Sequence, residues 1–254
     1  VTMHFRPQKW TTTTVIQVEL NEPVARTVDI DVVYTNDGAT CTEWLQHEGS
    51  GSSLGFDLEY RPQFRRGGPQ NRVALIQLAT ATSCLLFQVK HHHGPLPNAL
   101  VEVLKSCAIR KAGVGILDDA NKLHRDCGAD IIGRVEIAEV AYEFGVKAAT
   151  PSLANLSAAI LGLELAKPKN ITLSNWEQTP LTELQLQYAA LDAWVGYAML
   201  VALEEIGGPA TQNNLSTNAA FVQLRVQRAQ RKREAILQRG KRGREESPPL
   251  APIR

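Results

Sequence analysis

Residues 53–89 read "SLGFDLEYRPQFRRGGPQNRVALIQLATATSCLLFQV", and the fold is decided here. Three apolar runs, 53–60, 72–80 and 83–89, are parted by a Gly/Pro-rich basic segment and by a short polar turn. Runs of this length between turn residues predict strands, and the short connections predict antiparallel pairing. In "FDLEY", side chains two apart share a face of the strand. Asp57 and Glu59 therefore project together, while Phe56 and Leu58 enter the core. Two adjacent carboxylates repel, and either protons or a divalent cation must neutralise them. Hard oxygen donors of this kind suit Mg²⁺ or Mn²⁺. An edge strand carrying two solvated acids is the plain alternative.

Upstream, "TVIQVEL" and "TVDIDVVYT" alternate as strands, and "ATCTEWLQHEG" reads as a short helix stopped by glycine. Downstream the period lengthens. "LPNALVEVLKSC" predicts a helix, "KAGVGI" a short buried strand, and "DDANKLHRDCG" a helix with acids in its first turn, where the macrodipole favours them. "VEIAEVAYEFG", "SLANLSAAILGLEL" and "TELQLQYAALDAWVGYAMLVALEEIGG" follow as helices, the last with Thr182 as N-cap and Gly207 and Gly208 as its stop. Early antiparallel strands followed by alternating helix and strand predict one α/β domain with a mixed sheet flanked by helices. Its expected extent is 27–207, after an N-terminal extension (1–26) carrying a strand.

The formal net charge of +1 conceals an asymmetry. From Phe221 to Arg254 there are 10 basic and 3 acidic residues, leaving 17 basic and 23 acidic in the first 220. Residues 208–254 are thus expected to be a linker and a basic, largely disordered tail, suited to nucleic acid or nuclear import. The four cysteines, Cys41, Cys84, Cys107 and Cys127, form no C-x-x-C pair, which favours reduced thiols over a disulfide framework or zinc site. No secretory signal is evident at the start, no apolar run is expected to span a bilayer, and no membrane partner is expected.

Two further acidic points accompany the D-x-E. In "GVGILDDANKL" (113–123) the third glycine of a dinucleotide fingerprint is missing, and Asp118 and Asp119 stand where strand turns into helix. In "LQYAALDAW", Tyr188 and Asp192 lie four apart on one helix face. Leu184, Ala189, Leu191 and Val195 suggest that this helix packs on the sheet with Asp192 turned inward.

Together, "GFDLEYRPQFRRGG…NRVALIQLAT", "KAGVGILDDANKLHRDCG" and "LSNWEQTPLTELQLQYAALDAW" resemble the Werner-type 3′–5′ exonuclease domain and its free-standing plant counterparts. These belong to the four-acid, tyrosine (DEDDy) subclass. The likeness covers residues 54–203. It implies a ribonuclease H-like fold and hydrolysis of DNA from the 3′ end to nucleoside 5′-monophosphates, with two Mg²⁺ or Mn²⁺ ions. It carries metal ligation to Asp57, Glu59, Asp119 and Asp192, and positioning of the attacking water to Tyr188. The resemblance, not the spacing, selects Asp119 over Asp118. A DNA-end-binding partner such as the Ku heterodimer and a nuclear location, with the cytoplasm as alternative, are further expectations. An RNase D-like exoribonuclease and a silent nucleic-acid-binding module are the rival readings. The chain contains no G-x-x-x-x-G-K-[ST] loop for a helicase motor.

Arg61, Arg65 and Arg66 could steer a polyanion toward the acids, and Lys122 could contact phosphate or lie on a helix surface. "HHH" (91–93) is expected to be solvated, and Trp176 to pack behind the last helix.

Overall fold

The computed structural model describes residues 9–20, 26–65 and 67–207. Strands β1 (Thr11–Leu20) and β2 (Arg26–Thr35) lead into helix α1 (Gly38–His47). Strands β3 (Ser53–Tyr60), β4 (Val73–Ala79) and β5 (Ser83–Phe87) follow, then α2 (Asn98–Lys105), β6 (Arg110–Gly113) and α3 (Ile116–Cys127). Strand β7 (Arg134–Glu136) leads to α4 (Ile137–Glu143), α5 (Leu153–Leu161), α6 (Lys169–Thr172) and α7 (Glu183–Gly207).

The strands form one seven-stranded mixed sheet in the order β1-β2-β5-β4-β3-β6-β7. As expected, β3, β4 and β5 pair antiparallel, and Asp57 stands opposite Gln77. β3 pairs in parallel with β6, and β6 with β7. The strand of the N-terminal extension, β1, joins the sheet along the whole length of β2. Every residue of β4 and β5 is buried, as expected for central strands covered on both faces.

One face carries Leu54, Phe56, Leu58, Ile76, Leu78, Leu85 and Phe87, closed by Trp44 and Leu45 of α1, Leu100 and Leu104 of α2, and Ile116 and Leu123 of α3. The other face is covered by α7, which packs on β3, β4, β5 and β6. Helix α7 is started by a reciprocal capping box. The Gln185 amide donates to Thr182 Oγ1 at 3.3 Å, and Thr182 N donates to Gln185 Oε1 at 2.9 Å. Its approach to the sheet is so close that only glycine fits at two contacts. A Cβ on Gly55 would lie 1.9 Å from the Ala193 carbonyl oxygen, and one on Gly196 would lie 2.6 Å from that of Ala112.

Four sequence expectations change. "VEIAEVAYEFG" is not a single helix: 134–136 pair with β6, and the helix starts at Ile137. Strand pairing there satisfies backbone groups that a longer helix would leave beside an open sheet edge. Helix α5 ends at Gly162, whose φ of +64° is the left-handed conformation that closes helices, so "LEL" lies outside it. Helix α3 begins two residues earlier than the acidic pair suggested, after the left-handed Gly115. Finally, α7 is long and apolar enough by composition to cross a membrane, with mean hydropathy 1.3 over its most apolar window. Of that window 61% is buried inside the protein, so packing on the sheet accounts for its apolar character.

All four cysteines are free thiols. The start of the N-terminal extension (1–8) and the expected linker and basic tail (208–254) lie outside the described residues.

One buried charge helps hold the α2 side of the sheet. Lys111 is fully buried, and its ammonium donates to the carbonyls of Val103 (3.0 Å), Ser106 (2.8 Å) and Ile109 (2.6 Å) at the end of α2. Burial pulls its pKa down to about 8. Lys111→Met strands three buried acceptors, so we expect a loss of about 2–3 kcal/mol. It should be read as a lower urea midpoint at unchanged slope.

Candidate active site

Strand β3 delivers Asp57 and Glu59 to the face beneath α7, and a bulge between Glu59 and Tyr60 ends the regular pairing just beyond them. From above, α7 lowers Asp192, only 6% exposed, onto the pair. Asp57, Glu59 and Asp192 each bring a carboxylate oxygen to within 4.8 Å of the others. Residues 135 positions apart in the chain thus share one small volume, because Gly55 lets α7 seat directly over β3.

Electrostatics agree with that crowding. Burial first, and then the charges of Asp119 and Asp192, push the Asp57 carboxyl well above the usual carboxylate range. Burial followed by Asp57 and Asp192 does the same to Glu59. Asp192 is also raised by burial, with the nearby Lys167 ammonium opposing the shift. Such groups are costly as free anions, and a divalent cation removes the cost. The donor set is all oxygen, half-buried to buried and under-neutralised, so it fits Mg²⁺ or Mn²⁺. Directly across the β3–β4 ladder, the wholly buried Gln77 amide has no hydrogen-bond partner for either polar atom among the described residues. A buried polar side chain left in that condition fits a site completed by further polar groups.

Asp119, on the first turn of α3, flanks the trio and does not belong to it. Its charge reaches Asp57 and Glu59, and burial, Asp118 and Glu136 raise its own pKa to about 7. Asp118 is exposed. Tyr188 is half-buried and hydrogen-bonded to Asp192. Burial and then the Asp192 charge hold its phenol far above the ordinary tyrosine value, so it stays protonated and donates its one hydroxyl proton to Asp192. Behind it, Trp176 is fully buried with its ring 6.1 Å from that of Tyr188, a packing position as expected.

Other expectations fare differently. Lys122 is not a surface lysine. It is 3% exposed, donates to Asn71 O (2.6 Å) and Asp126 Oδ2 (2.9 Å), and lies 4.2 Å over the Tyr60 ring. Its charge is spent tying the loop before β4 to α3. Arg61 is exposed and 3.9 Å from Glu177, Arg65 is exposed, and Arg66 lies outside the described residues. His91 and His92 are structural pins, bonded to the carbonyls of Glu177 (2.7 Å), Asn36 (3.0 Å) and Pro95 (3.0 Å). Leu184, read as facing the sheet, is 60% exposed; Gln185 and Leu186 are buried instead.

The sequence reading missed two residues. Lys167, between α5 and α6, places Nζ 3.6 Å from Asp192 Oδ2. Glu136, hidden in what read as a helix, accepts the Gly115 N–H with both carboxylate oxygens at 2.9 Å, fixing the start of α3 and hence Asp119. Neither carried a local signal, since "AKPKN" and "RVEIAE" are ordinary segments.

A pH dependence follows. Because folding raises the Asp119 pKa from 3.8 to about 7, the metal-free folded protein binds more protons than the unfolded chain within that window. Its stability contribution therefore falls as pH rises from about 4 to about 7. Melting curves in EDTA should show the wild type losing ground to Asp119→Asn over this range. Stabilisation by added Mn²⁺ should grow over the same range, because ionised carboxylates are what a cation binds.

A mixed sheet with a helix-borne acid lowered onto a D-x-E strand defines the ribonuclease H-like exonuclease class. A family model described as a 3′–5′ exonuclease matches residues 32–207, and the chain belongs to that family of nucleic-acid hydrolases. The chain is 38% identical over 185 residues to the mouse bifunctional 3′–5′ exonuclease/ATP-dependent helicase WRN, covering 70% of this chain and 13% of that protein. It is 32% identical over 154 residues to an Arabidopsis thaliana 3′–5′ exonuclease, covering 60% of this chain and 53% of the relative. Among solved structures, the Aedes aegypti Nibbler EXO domain matches at TM-score 0.61 and 24% identity, over 75% of this chain and 91% of that one. Escherichia coli RNase D, an exoribonuclease involved in structured RNA processing, matches at TM-score 0.58 and 20% identity, over 76% and 49%. Both structural likenesses show the fold.

Proposed function

We propose that the protein removes nucleotides one at a time from the 3′ end of DNA, with Asp57, Glu59, Asp119 and Asp192 holding two divalent cations. The convergence of Asp57, Glu59 and Asp192 carries this reading. Bound ions supply an activated water and neutralise charge on the departing oxygen. The protein's own part is arrangement. Asp57 and Glu59 are fixed by the ladder, Asp192 by the seat of α7, and Asp119 by the Glu136 clamp on α3. The Tyr188 phenol, its proton given to Asp192, orients the attacking water by accepting a hydrogen bond and takes no proton from it. The water oxygen bonds to phosphorus as it gives up a proton to bulk water, the bond to the 3′ oxygen breaks, and that oxygen leaves carrying a proton taken from bulk water. The product is a nucleoside 5′-monophosphate, and no Ser, Cys or His nucleophile takes part.

DNA is favoured by the identity to the WRN relative, and RNA is the competing substrate of the same chemistry. A nuclear location and a DNA-end-binding partner such as Ku belong to the same proposal, supported by the resemblance and the basic tail. The test uses matched DNA and RNA strands labelled at either end, with Mg²⁺ or Mn²⁺. Stepwise shortening of 5′-labelled DNA and immediate release of 3′ label, both abolished by EDTA, is the expected result. Shortening of RNA alone reassigns the substrate, and tight binding without shortening makes the domain a binding module.

A further inference from the structure

Among the described residues, Lys167 is the cation ion-paired with the carboxylate cluster. Its side chain is 37% exposed, while its partner Asp192 is 6% exposed. The 3.6 Å separation is longer than the 2.7–2.9 Å typical of a tight charge-assisted hydrogen bond. The ammonium's charge also reaches Asp57 and Glu59. One flexible, half-exposed monovalent charge thus faces three converging carboxylates and engages one of them loosely. That is a countercharge a divalent ion can displace.

We propose that Lys167 is the resident countercation of the active site, competing with metal ions in the free protein and pairing with the substrate phosphodiester once they displace it. The inference rests on the metal-dependent nuclease reading. A displaced lysine stays within one side-chain length of the site, since its backbone is held between Gly162, which closes α5, and Pro168, which opens α6. The anion arriving there is the phosphodiester. Two effects of opposite sign follow from one substitution. Removing the charge strengthens metal binding and weakens turnover. A purely structural lysine would change neither in this pattern, and one that helped to hold metal would weaken both.

The experiment titrates Mn²⁺ into the full chain at pH 8 without nucleic acid, counting free Mn²⁺ by electron paramagnetic resonance. Wild type, Lys167→Met and Lys167→Arg are compared. With the pair discounted for its exposure, K167M is expected to lower the Mn²⁺ dissociation constant about fivefold, with K167R near wild type. At saturating Mn²⁺, kcat/KM of K167M on a single-stranded oligonucleotide should fall about tenfold, with K167R recovering most of it. If K167M fails to fold, Lys167→Gln carries the same comparison. Equal or weaker Mn²⁺ binding by the uncharged variant, or undiminished turnover, overturns the role of Lys167. A wild type that neither binds Mn²⁺ nor shortens strands overturns instead the reading beneath it.

Discussion

Asp57→Asn is expected to lose at least about 10³-fold in strand shortening while the metal-free protein becomes more stable. The acid stands at the centre of the cluster, where burial and the charges of Asp119 and Asp192 hold its carboxyl well above its ordinary range. An amide of the same shape removes an anion that the fold strains to accommodate and removes with it the oxygen a cation needs. Relief of such a functional compromise stabilises by about 1–2 kcal/mol. Thermal melts in EDTA and shortening assays on the same preparations check both halves. A variant that is inactive but less stable would show that activity was lost through folding, and the assignment of Asp57 would fail.

Gly55→Ala should damage fold and site together. The added carbon would sit 1.9 Å from the Ala193 carbonyl oxygen and 3.0 Å from Tyr197 N, both backbone atoms that no rotamer change can move away. Either β3 or α7 must shift, and overpacking of this severity costs about 3 kcal/mol. Asp192 rides on the displaced helix one residue before that carbonyl, and Asp57 lies two residues from Gly55 on the same strand face. A misplacement of about 1 Å between them costs roughly 10²-fold in rate. Leu104→Ala is the matching control. It lies in the cluster on the opposite face and costs a similar 2–5 kcal/mol, roughly, yet should leave the rate per folded molecule unchanged. If both variants lose activity only in proportion to unfolded fraction, the close seat of α7 has no catalytic consequence.

Much of this architecture could be read before any coordinates, for identifiable reasons. The alternation in "FDLEY" put both acids on one face because a strand has a period of two, and the connections on either side of β4 fitted antiparallel pairing. Thr182 announced the start of α7 through local chemistry, and the structure shows it capping reciprocally with Gln185. What escaped was decided by partners distant in sequence. The run 134–136 is a strand only because β6 lies beside it, and Leu184 is exposed because Gln185 and Leu186 take the inward positions. Lys122 is buried because Asn71 O, Asp126 and the Tyr60 ring gather around it. Lys167 and Glu136 reach the site from segments whose composition says nothing of acids nearby. A charge is legible as functional when its neighbours share its motif, and otherwise only its neighbours in space reveal it.

The central claim is that Asp57, Glu59 and Asp192 form a coordination site for divalent cations, with Asp119 at its flank. Anomalous diffraction at the manganese edge, from crystals soaked in Mn²⁺, tests it most directly. The account predicts a strong peak within about 2.0–2.6 Å of oxygens from all three clustered acids, and a second beside Asp119. Carboxylates without an anomalous peak between them, at Mn²⁺ concentrations that support strand shortening, would contradict it.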